Sequence, residues 1–303
     1  MNKRSSLSLW ALVFFGVIAG GLRAAHPFLG TDPVGGKVAA VSLSGRVYWE
    51  FACKGPRDCW ATSDGNFVFS YAGGVMEKLD DGRTLWEYVA ESGADVSSCQ
   101  PLPNGRCLVV ENGPCRLVEV DTFGMVLKEM RLTPPHPDLQ VEVSERFGAA
   151  RQSADGHYLV CRKAEHVVEE LDAGGNSLRR IPVQGDPRLA VRLPDGHLLI
   201  ALGDGRKLQE LDANLKVVWE VGEKDVAGNP LYSVTGFQRL PNGNTILCND
   251  LGPDYVGQQA QVFEITRDKK IVWEYSDRTK FKTIAQFEVL DLPDDVMKGK
   301  VLR

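Results

Sequence analysis

Trp60, Gln100, Arg151 and Gln238 each stand four residues before an Asp-Gly or Asn-Gly pair, and Val191 holds the same place in its own segment. Glu288 joins this row because Phe-Glu-Val-Leu at 287–290 matches Phe-Gln-Arg-Leu at 237–240. Two residues upstream stand Asp58, Ser98, Ala149, Leu189, Gly236 and Gln286. Brought together, such side chains could hold a small anionic or hydroxylated ligand. A guanidinium is a fork-shaped anchor for an anion, and amides and carboxylates orient hydroxyls. Asp58, Trp60, Gln100, Arg151, Gln238 and Glu288 are therefore the candidate ligand-binding residues, with Arg151 as the cationic anchor.

Other chemistries find less support. Asp58, Glu288, Asn249 and Asp250 are hard oxygen donors of the kind that calcium takes. The same residue types also cap loop starts through Asx turns, with no metal involved. Of the five histidines, His157 and His197 directly follow Asp-Gly, which places them in turns. His136 falls in a loop and His166 at the start of a third strand, and none belongs to the row above. No Ser/His/Asp order, phosphate loop or paired-carboxylate motif is visible. The residues call for no metal and no cofactor, and no catalytic group stands out.

The elements that would position the row are short strands. Val-Tyr-Trp-Glu at 47–50, Thr-Leu-Trp-Glu at 84–87, Val-Val-Trp-Glu at 217–220 and Ile-Val-Trp-Glu at 271–274 repeat one pattern. Degenerate copies at 126–129 and 177–180 fill the gap, so the step is 37 to 54 residues. A period of about 40–50 residues made of short strands marks a β-propeller blade. Within each repeat, Asp64-Gly65, Asn104-Gly105, Asp155-Gly156, Asp195-Gly196 and Asn242-Gly243 lie between apolar runs. Both turn residues of such a hairpin need positive φ, which Asp-Gly and Asn-Gly supply. A third strand ends near Asp80, Asp121, Asp172 and Asp212, and the Trp-Glu strand follows.

The prediction is an all-β fold: a six-bladed propeller of four-stranded antiparallel blades, strands A to D from the axis outward. Strands at 37–41 and 46–51 complete the last blade, whose A strand is 287–290, with 300–303 as its B strand. Such sharing closes the ring and removes free sheet edges. The A–B and C–D turns are uniformly tight. Length variation collects in the D–A and B–C connections at 132–147, 221–233, 276–284 and 251–260. Long loops on one rim of a rigid scaffold are where binding resides, and Tyr232 and Tyr255 would anchor a protein there.

The run 79–87, Leu-Asp-Asp-Gly-Arg-Thr-Leu-Trp-Glu, resembles the repeat of pyrroloquinoline-quinone-like propellers, and more distantly the strands of arylsulfotransferase-type six-bladed propellers. The resemblance covers about 33–291. It implies the fold. Quinone-dependent members typically have eight blades, adjacent cysteines and a calcium-binding carboxylate set; this sequence has six predicted blades and no adjacent cysteines. A sulfohistidine mechanism would need an imidazole near the axis, which the histidine positions do not offer.

Lys3 and Arg4 precede a short apolar run ending near Gly21, and Arg23-Ala24-Ala25 follows. This is the pattern of a signal peptide over 1–25, with the propeller over 26–303 and a periplasmic or secreted destination. The run falls short of the ~20 residues that span a bilayer, so no membrane association is expected after cleavage. Net charge is -5 without a basic stripe, which argues against nucleic acid. The expected partner is a small polar ligand or an extracytoplasmic protein. The expected role is a binding scaffold; the alternative is an enzyme at the axial channel, such as a calcium-dependent lactonase- or esterase-like hydrolase, or a sulfotransferase. Seven cysteines are an odd count. Cys53 and Cys59 flank a turn-prone loop that an exported protein could close as a small disulfide.

Overall fold

Six four-stranded antiparallel sheets form a ring, one per predicted repeat. This computed structural model describes residues 26–226, 228–255, 257–277, 279–292 and 302–303; the predicted leader lies outside them. Blades 2 to 6 each take four consecutive strands. Their A strands are Cys59–Ala61, Val96–Leu102, Ala150–Gln152, Pro187–Arg192 and Val234–Arg239. The chain is a six-bladed β-propeller.

Blade 1 closes the ring, but with a different division of labour from the one expected. Phe28–Asp32 lies between Gln286–Val289 and Lys37–Val41, antiparallel to both. The N-terminal segment thus supplies strands B, C and D, and the C-terminal segment supplies A alone. Leu302 and Arg303, the described part of the segment assigned to strand B, lie in no strand. The cause of the misreading is local. Phe-Leu-Gly-Thr-Asp is buried along its whole length, so it lacks the alternation that marks a half-exposed strand. His26 secures this join: its Nε2 meets Glu264 of blade 6 at 3.1 Å and its Nδ1 meets Asp291 at 2.9 Å.

The outer strands show why Trp-Glu recurs. Along Thr84–Val89 the side chains alternate, with Trp86 and Tyr88 buried and their neighbours exposed. The buried face packs on the next blade. Trp49 lies 4.5 Å from the Phe67 ring of blade 2, and Trp273 lies 6.5 Å from Phe28 of blade 1. Lys128, in the Trp position of blade 3, reaches the next blade too, with Nζ 3.0 Å from the Tyr158 hydroxyl. Arg179, the equivalent in blade 4, is exposed. In every blade the C–D pairing shifts register at one place, as between Glu77 and Lys78 or Glu210 and Leu211. A bulge there adds twist to the outer strand.

All seven cysteines are unbonded thiols. The Cys53–Cys59 disulfide is not formed, because Cys59 is buried in the first strand of blade 2 with its Sγ 3.7 Å from the Leu29 carbonyl oxygen. Among the described residues, no helix is long and apolar enough to cross a membrane.

Candidate functional site

The predicted row faces the axis and ties neighbouring blades together. Gln152 N donates to Gln100 Oε1 at 2.7 Å, Val289 N to Gln238 Oε1 at 3.1 Å, and Ala61 N to Glu288 Oε2 at 2.5 Å. In each case a side-chain oxygen of one A strand accepts from the next A strand, one residue beyond the equivalent position. Trp60 makes the same crossing as a donor, from Nε1 to the Cys99 carbonyl at 2.7 Å. Arg151 skips a blade. Its Nη1 and Nη2 donate to both oxygens of Asp58, at 2.9 and 3.3 Å, and its Nε donates to the Arg303 carbonyl at 2.8 Å.

Arg303 fills the channel among these residues. It is fully buried, donates to the carbonyls of Phe287 and Cys59, and pairs with Glu288 at 3.0 Å. Its guanidinium lies 3.7 Å from the Trp60 ring centre, and that of Arg151 lies 4.9 Å away. Leu302 enters beside it, its carbonyl accepting from Arg239 N at 3.0 Å. Trp60, Gln100, Arg151, Gln238 and Glu288 are thus engaged within the protein, and Asp58 is the one of the six that also lines open space.

That space is a cavity of about 150 Å³ at the long-loop mouth of the channel. Its wall includes Arg57, Ser97, Gly148, Arg188, Thr235 and Ala285, which hold the position one residue upstream of Asp58, Ser98, Ala149, Leu189, Gly236 and Gln286. One residue per blade forms this ring. Gly148 and Ala285 are small and apolar, Ser97 and Thr235 carry hydroxyls, and Arg57 and Arg188 carry guanidinium groups, so a six-fold scaffold presents an asymmetric rim. Lys163 and Asp250 join from B–C connections, and Ser144 and Glu145 from the long D–A loop of blade 4.

Two glycines permit the geometry. A Cβ on Gly148 would stand 2.7 Å from the Arg188 carbonyl oxygen, so blade 4 can enter close to blade 5 only with glycine there. A Cβ on Gly236 would stand 2.2 Å from Gln286 Oε1, so Gly236 leaves the room in which the Gln286 amide lies.

The electrostatics of the cavity are built from partly satisfied groups. Lys163 donates to the Ser144 carbonyl at 3.1 Å and pairs with Glu145 at 2.8 Å. Burial pushes its ammonium down to about 8, Arg188 adds to the push, and Glu145 opposes it. Burial works to raise the Glu145 carboxyl, but Lys163, with Arg188 and Arg57 behind it, holds it below the usual carboxylate range. All three cations therefore act on one carboxylate. Asp95 pairs with Arg57, and Asp186 with Arg188. Asp250 is raised by burial, against a Gly252 N–H donated at 3.2 Å and the charge of Arg188. Thr235 Oγ1 and Gln286 Oε1 are buried on this wall without a hydrogen-bond partner.

Of the four oxygen donors considered for calcium, Asp58 and Asp250 line the cavity, and Glu288 and Asn249 do not. Glu288 is held by Arg303 and Ala61 N, Asp58 by Arg151, and Asn249 Oδ1 by Tyr232 N at 2.7 Å. Among the described residues, one cluster has metal-ligand spacing: Asp195, His197 and Glu210, on the tight-turn face. Arg239 and Arg267 already donate to Glu210, and their charge opposes a cation there.

Sequence reasoning missed Arg57, Lys163, Arg188 and Thr235. The same turn offset aligns three of them, so the ring was readable from spacing. Spacing carries no sign of which ring opens to solvent.

No known family description matches the chain, and no curated protein does. Among solved structures, a protein of unknown function from Bacteroides caccae is 27% identical with a TM-score of 0.77, covering 87% of this chain and 98% of its own. A catalytically inactive virginiamycin B lyase from Staphylococcus aureus, solved with quinupristin, is 14% identical with a TM-score of 0.58, covering 86% and 87%. The WD40 β-propeller domain of Doa1 is 15% identical with a TM-score of 0.54, covering 73% and 70%. The last two likenesses speak for the fold alone.

Proposed function

We propose that this protein is an exported propeller that binds a small polar ligand in the cavity at its long-loop mouth. The observation that carries this reading is the pair of partnerless buried atoms, Thr235 Oγ1 and Gln286 Oε1, on the wall of that cavity. Buried polar atoms are normally satisfied, and an orphan costs about 1–3 kcal/mol. A ligand that hydrogen-bonds them removes that cost. Asp58, bonded to Arg151, forms the floor, and the remaining axial residues hold the floor rigid from below. The leader-like pattern around Lys3 and Arg4 supports export, and the Trp-Glu repeat supports kinship with quinoprotein-type propellers.

The test is thermal stability of the purified chain against a panel of phosphate, sulfate, sugars, sugar acids and amino acids. A ligand of the native state raises the midpoint as its concentration passes the dissociation constant. A shift that Arg188→Gln removes supports the reading. No shift with any member of the panel rejects it.

A second reading rests on the rim. Tyr232 and Tyr255 lie 5.0 Å apart, both over a third exposed, with Arg206 above Tyr232. Paired aromatics with an arginine are the composition of a protein-binding hot spot. Loss of a captured extracytoplasmic partner in Tyr232→Ala would favour it.

A further inference from the structure

We propose that the ligand is a small polyhydroxylated carboxylate, its carboxylate directed to Arg57, Lys163 and Arg188 and its hydroxyls to Thr235, Gln286 and Asp250. This rests on the cavity reading above and adds the chemical class. The cavity wall carries two chemically distinct sets of groups. Lys163 and Arg188 come from neighbouring blades 4 and 5, with Arg57 across the mouth on blade 2. A guanidinium carries five N–H donors, and the ion pairs with Asp95 and Asp186 engage one nitrogen of Arg57 and one of Arg188. Both side chains remain about 30% exposed, at 29% and 31%. Glu145 is the carboxylate on which all three cations act, and it is half-exposed, at 51%. An incoming carboxylate can share or take its place.

The stretch of wall between Arg188 and Arg57, on blades 6 and 1, offers acceptors in want of donors. Gln286 Nε2 is committed to the Thr235 carbonyl at 3.0 Å, which fixes the amide orientation and leaves Oε1, packed beside Gly236, without a donor. Thr235 Oγ1 can donate or accept. The Asp250 carboxylate accepts one hydrogen bond within the protein, from Gly252 N. A bare inorganic anion answers the cations and leaves these acceptors orphaned. A neutral polyol does the reverse. A molecule with a carboxylate at one end and hydroxyls at the other satisfies both sets.

The experiment is calorimetric titration of the purified chain with D-gluconate, and separately with D-glucitol and hexanoate, which each carry one half of its chemistry. Gluconate is expected to bind at least about tenfold more tightly than either, the scale of one charge-assisted hydrogen bond. Arg188→Gln should bring gluconate to the level of glucitol. Thr235→Val keeps the shape and removes only a partnerless hydroxyl, so the variant should fold with unchanged or higher midpoint while weakening gluconate and leaving hexanoate unaffected. Gluconate binding no tighter than hexanoate or glucitol overturns the class. If another member of the wider panel binds and Arg188→Gln abolishes it, the cavity reading survives that failure. If nothing in the panel binds, both fall together.

Discussion

Arg151 and Asp58 form a two-pronged ion pair across the channel, from blade 4 to blade 2, with side chains 2% and 1% exposed. Asp58 also accepts from the backbone N–H groups of Cys59 and Cys99, so its four contacts join three blades. Removing one partner leaves an uncompensated buried charge, which costs about 3–5 kcal/mol. Arg151→Met and Asp58→Asn should each lose stability on that scale in urea unfolding. The double variant should lose much less than the sum, because the orphan charge disappears. Additive losses would show that the pair does not act as a unit.

Arg303 should be as sensitive. Its guanidinium neutralises Glu288, which is itself fully buried. Arg303→Met is expected to lower the unfolding midpoint and to expose the axial wall. Cys59, whose carbonyl Arg303 covers, is the reporter. Burial raises its thiol well above the ordinary value of 9.0, so it should resist alkylation in the wild type and react faster in the variant. Unchanged labelling would mean that the channel stays closed without Arg303.

Lys163 should be a residue that costs stability. Its ordinary value is 10.5 and its folded value about 8, so the folded state disfavours its charge. The sign follows from proton binding. Between about 8 and 10.5 the unfolded chain binds more protons at this site, so its contribution to stability rises with pH across that window. Below about 8 the penalty is fully present. Lys163→Met should therefore be at least as stable as wild type at pH 7 while losing gluconate affinity. It should also lack the alkaline rise, a difference read from denaturant midpoints between pH 7 and 10.

Glu210 predicts the acid limb. Burial works against its carboxylate, but hydrogen bonds from His197, Arg239 and Arg267 bring it down to about 2 from 4.5. A lowered carboxylate contributes stability above its unfolded value, and that contribution fades as pH falls from about 4.5 to 2. In Glu210→Gln the loss should be present at neutral pH, and the gap to wild type should narrow across that window. A gap independent of pH would place the effect in packing.

The ring of six blades was legible because its signals are local. Trp-Glu strands and Asp-Gly turns repeat by physical necessity: each blade must bury one face of its outer strand on its neighbour and reverse tightly at one end. Phe28–Asp32 escaped notice because a fully buried strand, paired on both sides, carries no alternation. Gln100, Gln238 and Glu288 were visible as a row facing the axis, yet only the folded ring shows that each clasps the next blade.

What the sequence by itself determined is the repeat: the number of blades, the order of strands in blades 2 to 6, the tight face and the long-loop face. The tertiary structure alone decided which row of that repeat meets solvent. Arg303, distant in sequence from Trp60, Arg151 and Glu288's neighbours on the other blades, enters the channel and occupies the axial row. The opening is thereby left to Arg57, Lys163, Arg188, Thr235 and Gln286. Local periodicity can encode a blade, because its contacts are between near neighbours. It cannot encode how a distant side chain fills the axis.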